Sequence, residues 1–186
     1  MGRSRLRLAA ALAAMTLVLT ACDGDTPTKE TSSMYCDLID PKTVQPIVGD
    51  LKIKDFGGPD LPKSDDRNVQ CKLYAPDGIL TVLMASVHEV SGDDSVAEER
   101  AAIEKVATRY QEDDDALFSS LDEDGTIGNT LYDGQFASAR IFTGSRVVSV
   151  TAPADAEQAP TFTPLVLKVA QEVNTNLDAW DADHAP

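Results

Sequence analysis

Gln135-Phe-Ala-Ser-Ala-Arg-Ile-Phe-Thr143, then Gly144-Ser145, then Val147-Val-Ser-Val-Thr151 reads as two β-strands joined by a two-residue turn. A tight turn forces its two strands to run antiparallel, so the sheet to which they belong is built from hairpins and not from crossover units. The same reading extends upstream. Val69-Gln-Cys-Lys-Leu-Tyr74 alternates, with Val69, Cys71 and Leu73 on one face. Pro76-Asp77-Gly78 suits a tight turn, and Ile79 to Val87 is apolar on both pleat faces, which predicts a central strand covered on both sides.

Three helices frame these strands. Asp40-Pro41 reads as an N-cap followed by proline at the first helical position, with Val44, Ile47 and Val48 on one face before Gly49. Ser95-x-x-Glu98 reads as a capping box opening a long helix with Val96, Ile103, Val106, Ala107 and Tyr110 along its apolar stripe. Thr163-Pro164 is taken as the start of a last helix lined by Leu165, Val166, Val169, Val173 and Leu177. The stretch from Asp55 to Asn68, rich in Gly and Pro, reads as a loop. The expected order is α-β-β-α-β-β-α, an α+β domain with a mainly antiparallel sheet and helices packed on it.

The first 22 residues speak about location. A cationic segment with Arg3, Arg5 and Arg7, an apolar run from Leu8 to Leu19 and the small residues before Cys22 have the three parts of a secretory signal peptide. The apolar run falls short of the roughly 20 residues that span a bilayer. There is no Arg-Arg pair, which favours export of the unfolded chain. Leu19-Thr-Ala-Cys22 forms a lipobox, the pattern of bacterial lipoproteins in which the Cys thiol takes a diacylglyceryl group and the chain is cut just before it. The expected organisation is a signal peptide over 1–21, an acylated Cys22 with a tether over 22–33, one domain over 34–180 and a frayed tail over 181–186. The expected location is the extracytoplasmic face of the cell membrane, with Cys22 as the lipid-bearing residue.

Export changes the meaning of composition. The whole chain carries a formal charge of −15, and loss of residues 1–21 removes three arginines and no acid, leaving −18. Such a surface lacks the clustered Lys and Arg that nucleic acid requires, and it is repelled by anionic headgroups. The charge serves solubility first. Cys36 and Cys71 are an even pair in an exported domain and read as a disulfide, stapling the segment that enters the first helix to the inner face of the first strand. A metal or redox pair fits poorly, because there is no Cys-x-x-Cys and His88 and His184 are the only histidines.

These features together resemble one known group. The lipobox, Cys36-Asp-Leu-Ile-Asp40 before a short helix, the second cysteine in Val69-Gln-Cys-Lys-Leu-Tyr74, Gly125-Thr-Ile-Gly-Asn129 before two strands and a closing helix resemble the actinobacterial envelope lipoproteins of the domain-of-unknown-function 3558 family. The chain has Asn129 and Lys72 where that group tends to have Asp and an aromatic residue. The resemblance implies location, fold type and disulfide, and no catalytic residue. The layout is also similar to the Mog1/PsbP-type sandwich, a fold of accessory and binding proteins.

Catalytic motifs are missing from the sequence: there is no Gly-x-Ser-x-Gly elbow, His-Glu-x-x-His or phosphate loop. His88 reads as a strand-end residue facing solvent. The acidic run of Glu112, Asp113, Asp114, Asp115, Asp122, Glu123 and Asp124 reads first as a solvated loop. Leu117, Phe118 and Leu121 within it read first as a small buried cluster and otherwise as an exposed contact patch. The alternative is a Ca²⁺ site using Asp122 and Asp124, because Ser120-x-Asp122-x-Asp124-Gly125-x-Ile127 follows the first positions of an EF-hand loop. That pattern stops at Leu131, where a bidentate Glu belongs. The function expected from the sequence is a non-enzymatic binding or accessory module without cofactor, held at the membrane by lipid on Cys22, whose partner is an envelope protein or a small ligand. A third reading, an enzyme with a carboxylate pair, has no identifiable residues.

Overall fold

The computed structural model describes residues 33–59, 68–110, 117–123 and 125–184, all within one compact unit. It is an α+β fold with ten elements. In chain order they are α1 (Pro41–Val48), β1 (Lys54–Gly57), β2 (Val69–Tyr74), β3 (Thr81–Glu89), α2 (Asp93–Tyr110), β4 (Phe118–Glu123), β5 (Thr126–Tyr132), β6 (Phe136–Phe142), β7 (Arg146–Pro153) and α3 (Ala159–Asp183). The seven strands form a single sheet in the order β1-β2-β3-β7-β6-β5-β4, and every pairing is antiparallel.

Three strands go beyond the four expected. β1 lies inside the stretch read as a loop, while β4 and β5 form a hairpin from the acidic run and the Gly125–Asn129 segment. The central hairpin stands as β6 and β7, closed by Gly144 with φ +89°, a left-handed value that suits glycine. β3 departs from its expected two-sided burial. Leu83, Ala85 and Val87 are buried on one face, but Met84 faces solvent and Ile79 and Leu80 precede the strand as exposed turn residues.

The inner face is built by the period-two pattern. Val69, Cys71 and Leu73 of β2, Leu83, Ala85 and Val87 of β3, Val148, Val150 and Ala152 of β7, and Ala137, Ala139 and Ile141 of β6 point to one side. Against them α3 lays Phe162, Val166, Val169, Ala170, Val173 and Leu177 at helical spacing. α3 begins four residues before the expected Thr163. Asp155 and Gln158 form a reciprocal capping pair there: the Asp155 carboxylate accepts from the Gln158 N–H at 2.9 Å, and the Gln158 side-chain oxygen accepts from the Asp155 N–H at 3.1 Å. Thr163 is therefore inside the helix, donating to the Ala159 carbonyl at 2.7 Å. The helix also runs on into the segment expected to fray, where Asp181 pairs with Arg146 of β7 at 2.7 Å.

α1 starts as expected, with the Asp40 carboxylate accepting from Lys42 N–H at 2.8 Å and Pro41 behind it. The segment before it is tied down from three sides. Cys36 is disulfide-bonded to Cys71 with Cα atoms 5.8 Å apart, its N–H donates to Asp55 of β1 at 2.7 Å, and Asn176 of α3 donates to the Leu38 carbonyl at 2.8 Å. The disulfide reaches β2, the second strand and not the first, on its inner face. Closing a loop of 35 residues this way is worth about 3–4 kcal/mol by chain entropy. Gly57 and Gly58 make the approach possible: a Cβ at Gly57 would meet the Gln70 carbonyl at 1.8 Å, and one at Gly58 the Cys36 carbonyl at 2.7 Å.

Candidate functional site

The outer face of the sheet is covered over part of its area. α2 starts at Asp93, two residues before the expected cap Ser95, and crosses β5, β4 and β6. Ile103 of α2 buries against Ile127, Phe142 and Val147, with Val96 and Val90 at the edge. Next to this apolar seam the strand register places a polar row. Ser86, Ser149, Arg140, Asn129 and Ser120 face each other in turn across β3, β7, β6, β5 and β4.

α2 adds Glu99 above that row. One carboxylate oxygen accepts from Arg140 Nη2 at 2.5 Å, and the other stands 3.6 Å from His88 Nε2. Asn129 is 6 % exposed, yet among the described residues its amide nitrogen has no hydrogen-bond partner, and neither has Arg140 Nε. Buried donors of this kind cost free energy when left unpaired, so a row holding two of them has hydrogen-bonding capacity to spare. Glu99 and His88 also line a cleft of about 330 Å³, together with Glu89, Val90, Ser91, Ser95 and Glu98; the residues of the row itself do not line it. No hydroxyl or thiol hydrogen-bonds His88 among the described residues. The donors and carboxylates suit recognition of a polar group by hydrogen bonding.

Asn129, Arg140 and Glu99 carry this arrangement, and none of them was among the expected site residues. The legible signal was Arg140, a charge in the middle of a strand otherwise written Phe-Ala-Ser-Ala-x-Ile-Phe. The expected acidic site takes a different form. Asp122 stands exposed on the edge strand β4 opposite Ile127, and Asp124 lies outside the described residues. The spacing that follows an EF-hand loop runs instead through a strand, a turn at Gly125 and a second strand. Extended backbone sends successive side chains to opposite faces and does not wrap them round an ion. Among the described residues no group of three His, Cys, Asp or Glu side chains is placed to hold a metal ion. Cys22 and residues 23–32 lie outside the described residues as well, and no helix of the described part is long and apolar enough to cross a membrane.

The opposite end of the sheet carries the exposed apolar residues. Phe56, Met84 and Phe118 lie on one register row with Lys72, Thr151, Ser138 and Leu131 between them, Tyr110 of α2 stacks on Phe118, and every exposed large apolar residue among the described ones sits on this row or towards the β2–β3 turn. Ile79 is 84 % exposed and Leu80 58 %, on a turn shaped by Asp77, whose carboxylate accepts from Ile79 N–H at 3.0 Å. A groove of about 290 Å³ between β4 and the start of α3 continues this end, lined by Leu117, Phe118, Pro160, Pro164 and Leu167 with hydroxyls from Ser119, Thr130 and Thr163.

No protein-family model, curated protein or solved structure matches this chain.

Proposed function

We propose that this chain is an exported lipoprotein, anchored by lipid on Cys22 at the extracytoplasmic face of the cell membrane, that acts as a non-enzymatic binding or accessory module of the kind found in the envelope family it resembles. The lipobox supports the anchor. The Cys36–Cys71 disulfide supports the compartment, because such bonds persist where the surroundings are oxidising. The observation that carries the binding role is the polar row with its unpaired Asn129 and Arg140 donors, joined through Glu99 to an open cleft. Its partner is an envelope protein or a small polar ligand. The acidic charge argues against nucleic acid as that partner.

Cys22→Ser tests the anchor: after processing, the variant is expected in the soluble fraction, and a variant that stays membrane-bound with its signal removed would reject the assignment. The binding role is tested with a photo-crosslinking side chain at Ser149 in living cells. Discrete adducts that disappear on Arg140→Ala are expected. Adducts indifferent to Arg140 and equally abundant from Lys168 on α3 would reject the site.

A further inference from the structure

We infer that the apolar end of the sheet rests on the bilayer, with the Ile79-Leu80 turn inserted among the lipid headgroups, an inference that builds on the reading of Cys22 as the anchor. The fold leaves these side chains exposed without using them: Ile79 and Leu80 sit on the β2–β3 turn, Leu51 precedes β1, and Phe136 follows the β5–β6 turn. At the other end of the same sheet stand His88, Glu89, Arg146, Asp122 and Glu123. The exposed large apolar side chains are thus gathered at one end of the strands, while charged residues stand at both.

The occupant is argued from three features. First, the apolar residues protrude from separate turns and an edge and form no single flat patch. A rigid partner would need a matching relief, whereas fluid lipid accepts protruding side chains in any arrangement. Secondly, the tether is short. Residues 23–33 allow at most about 40 Å between Cys22 and the start of the domain. A surface held at that distance meets the bilayer at high effective concentration, so a weak contact is populated. Thirdly, the charges are mixed. Lys52, Lys54 and Lys72 lie beside Leu51 and Phe56, while Asp50, Asp77, Asp133, Asp155 and Glu157 lie at the same end. Asp77 and Asp133 are engaged with backbone N–H groups of their own turns, Ile79 for the one and Gln135 and Phe136 for the other. The contact is therefore apolar insertion into a zwitterionic surface and not attraction to anionic lipid.

Cys22 is the one cysteine outside the disulfide, so in a chain that starts at this residue and is made without lipid its thiol can be coupled to a maleimide lipid in phosphatidylcholine vesicles. Ile79→Trp then reports depth, read as a difference from the parent chain with its native Trp180. Coupling is expected to shift the emission from position 79 to the blue and to expose it to quenching by brominated acyl chains. Ser145→Trp, on the turn at the opposite end, is expected to show neither change. Leu80→Asp added to Ile79→Trp is expected to abolish the shift, and phosphatidylglycerol to weaken it. The inference is overturned if position 79 stays aqueous on coupled protein, or if positions 79 and 145 respond alike. A shift that appears without vesicles and grows with protein concentration also overturns it and assigns this end to a second copy. Failure of Cys22→Ser to release the protein in cells would strike the anchor reading alone, because the coupled vesicles do not depend on it.

Discussion

Phe142 and Phe136 lie on the same strand, β6, and on the same face of the sheet, six positions apart. One is 1 % exposed and the other 41 %. The difference comes from α2, which covers Phe142 at the charged end of the outer face and reaches the other end at β4, where Tyr110 stacks on Phe118, leaving Phe136 uncovered. At the covered end, apolar side chains are buried and the exposed ones are polar. At the other end, large apolar side chains stand exposed. Burial of a given residue type is thus decided by what crosses above it.

The largest effect that would break this contrast is the loss of a phenylalanine. Phe142→Ala is expected to cost about 3–5 kcal/mol in urea unfolding, while Phe136→Ala stays within about 0.5 kcal/mol of the parent. Equal costs would show that the bare end is packed after all. Arg146 comes next. Its side chain is 12 % exposed and bridges Asp178 at 2.5 Å and Asp181 at 2.7 Å, so it ties the end of α3 to β7. Its partners are more exposed than it is, which limits the gain by solvent screening. Arg146→Ala is expected to cost about 1–2 kcal/mol and to raise hydrogen exchange in the last turns of α3 while leaving the β2–β3 turn unchanged.

A smaller effect lies at the bare end. Asp77→Ala removes the acceptor for Ile79 N–H and is expected to cost about 0.5–1 kcal/mol, with faster exchange confined to residues 75–80. The smallest is a matter of pH, on the flank between the two ends. Burial, and then the Asp55 carboxylate, raise the Tyr35 phenol above its ordinary value. An unfolded tyrosine ionises near pH 10, so the contribution is complete below that pH and is lost as pH rises through the higher folded value. Unfolding free energies measured between about pH 8 and 11 should therefore fall more steeply for the parent than for Tyr35→Phe.

What was legible depended on how local the signal was. The α1 cap at Asp40-Pro41, the alternation of Val69 to Tyr74 and the β6–β7 hairpin are set within a few residues and stood as read. β1 has four residues, Lys-Asp-Phe-Gly, and one neighbour, and β4 reads Phe-Ser-Ser-Leu-Asp-Glu. Neither has an apolar rhythm of its own, and both are strands because a partner with a row of free N–H and C=O groups lies beside them. The helix starts were misplaced for a related reason. Proline at 164 signals a beginning only where its missing donor falls in the first turn, and the Asp155–Gln158 pair had already set the start earlier.

The candidate site was less legible than the fold. Arg140 and Asn129 are eleven positions apart in the chain and adjacent in register, and Glu99 reaches them from a helix two strands earlier. Only pairing makes them a group. By itself, the sequence determined the hairpin-built α+β class, the period of each long element and which residues of β2, β6 and α3 share a face, since these follow from backbone geometry within a few residues. The tertiary structure alone decided that β4 and β5 exist, that Asp122 stands on an edge strand, that α2 covers one end of the outer face, and that the unpaired donors gather at that end while Ile79 and Leu80 stand bare at the other. Those outcomes depend on which strands become neighbours and where a helix crosses them, and no local pattern of residues carries that information.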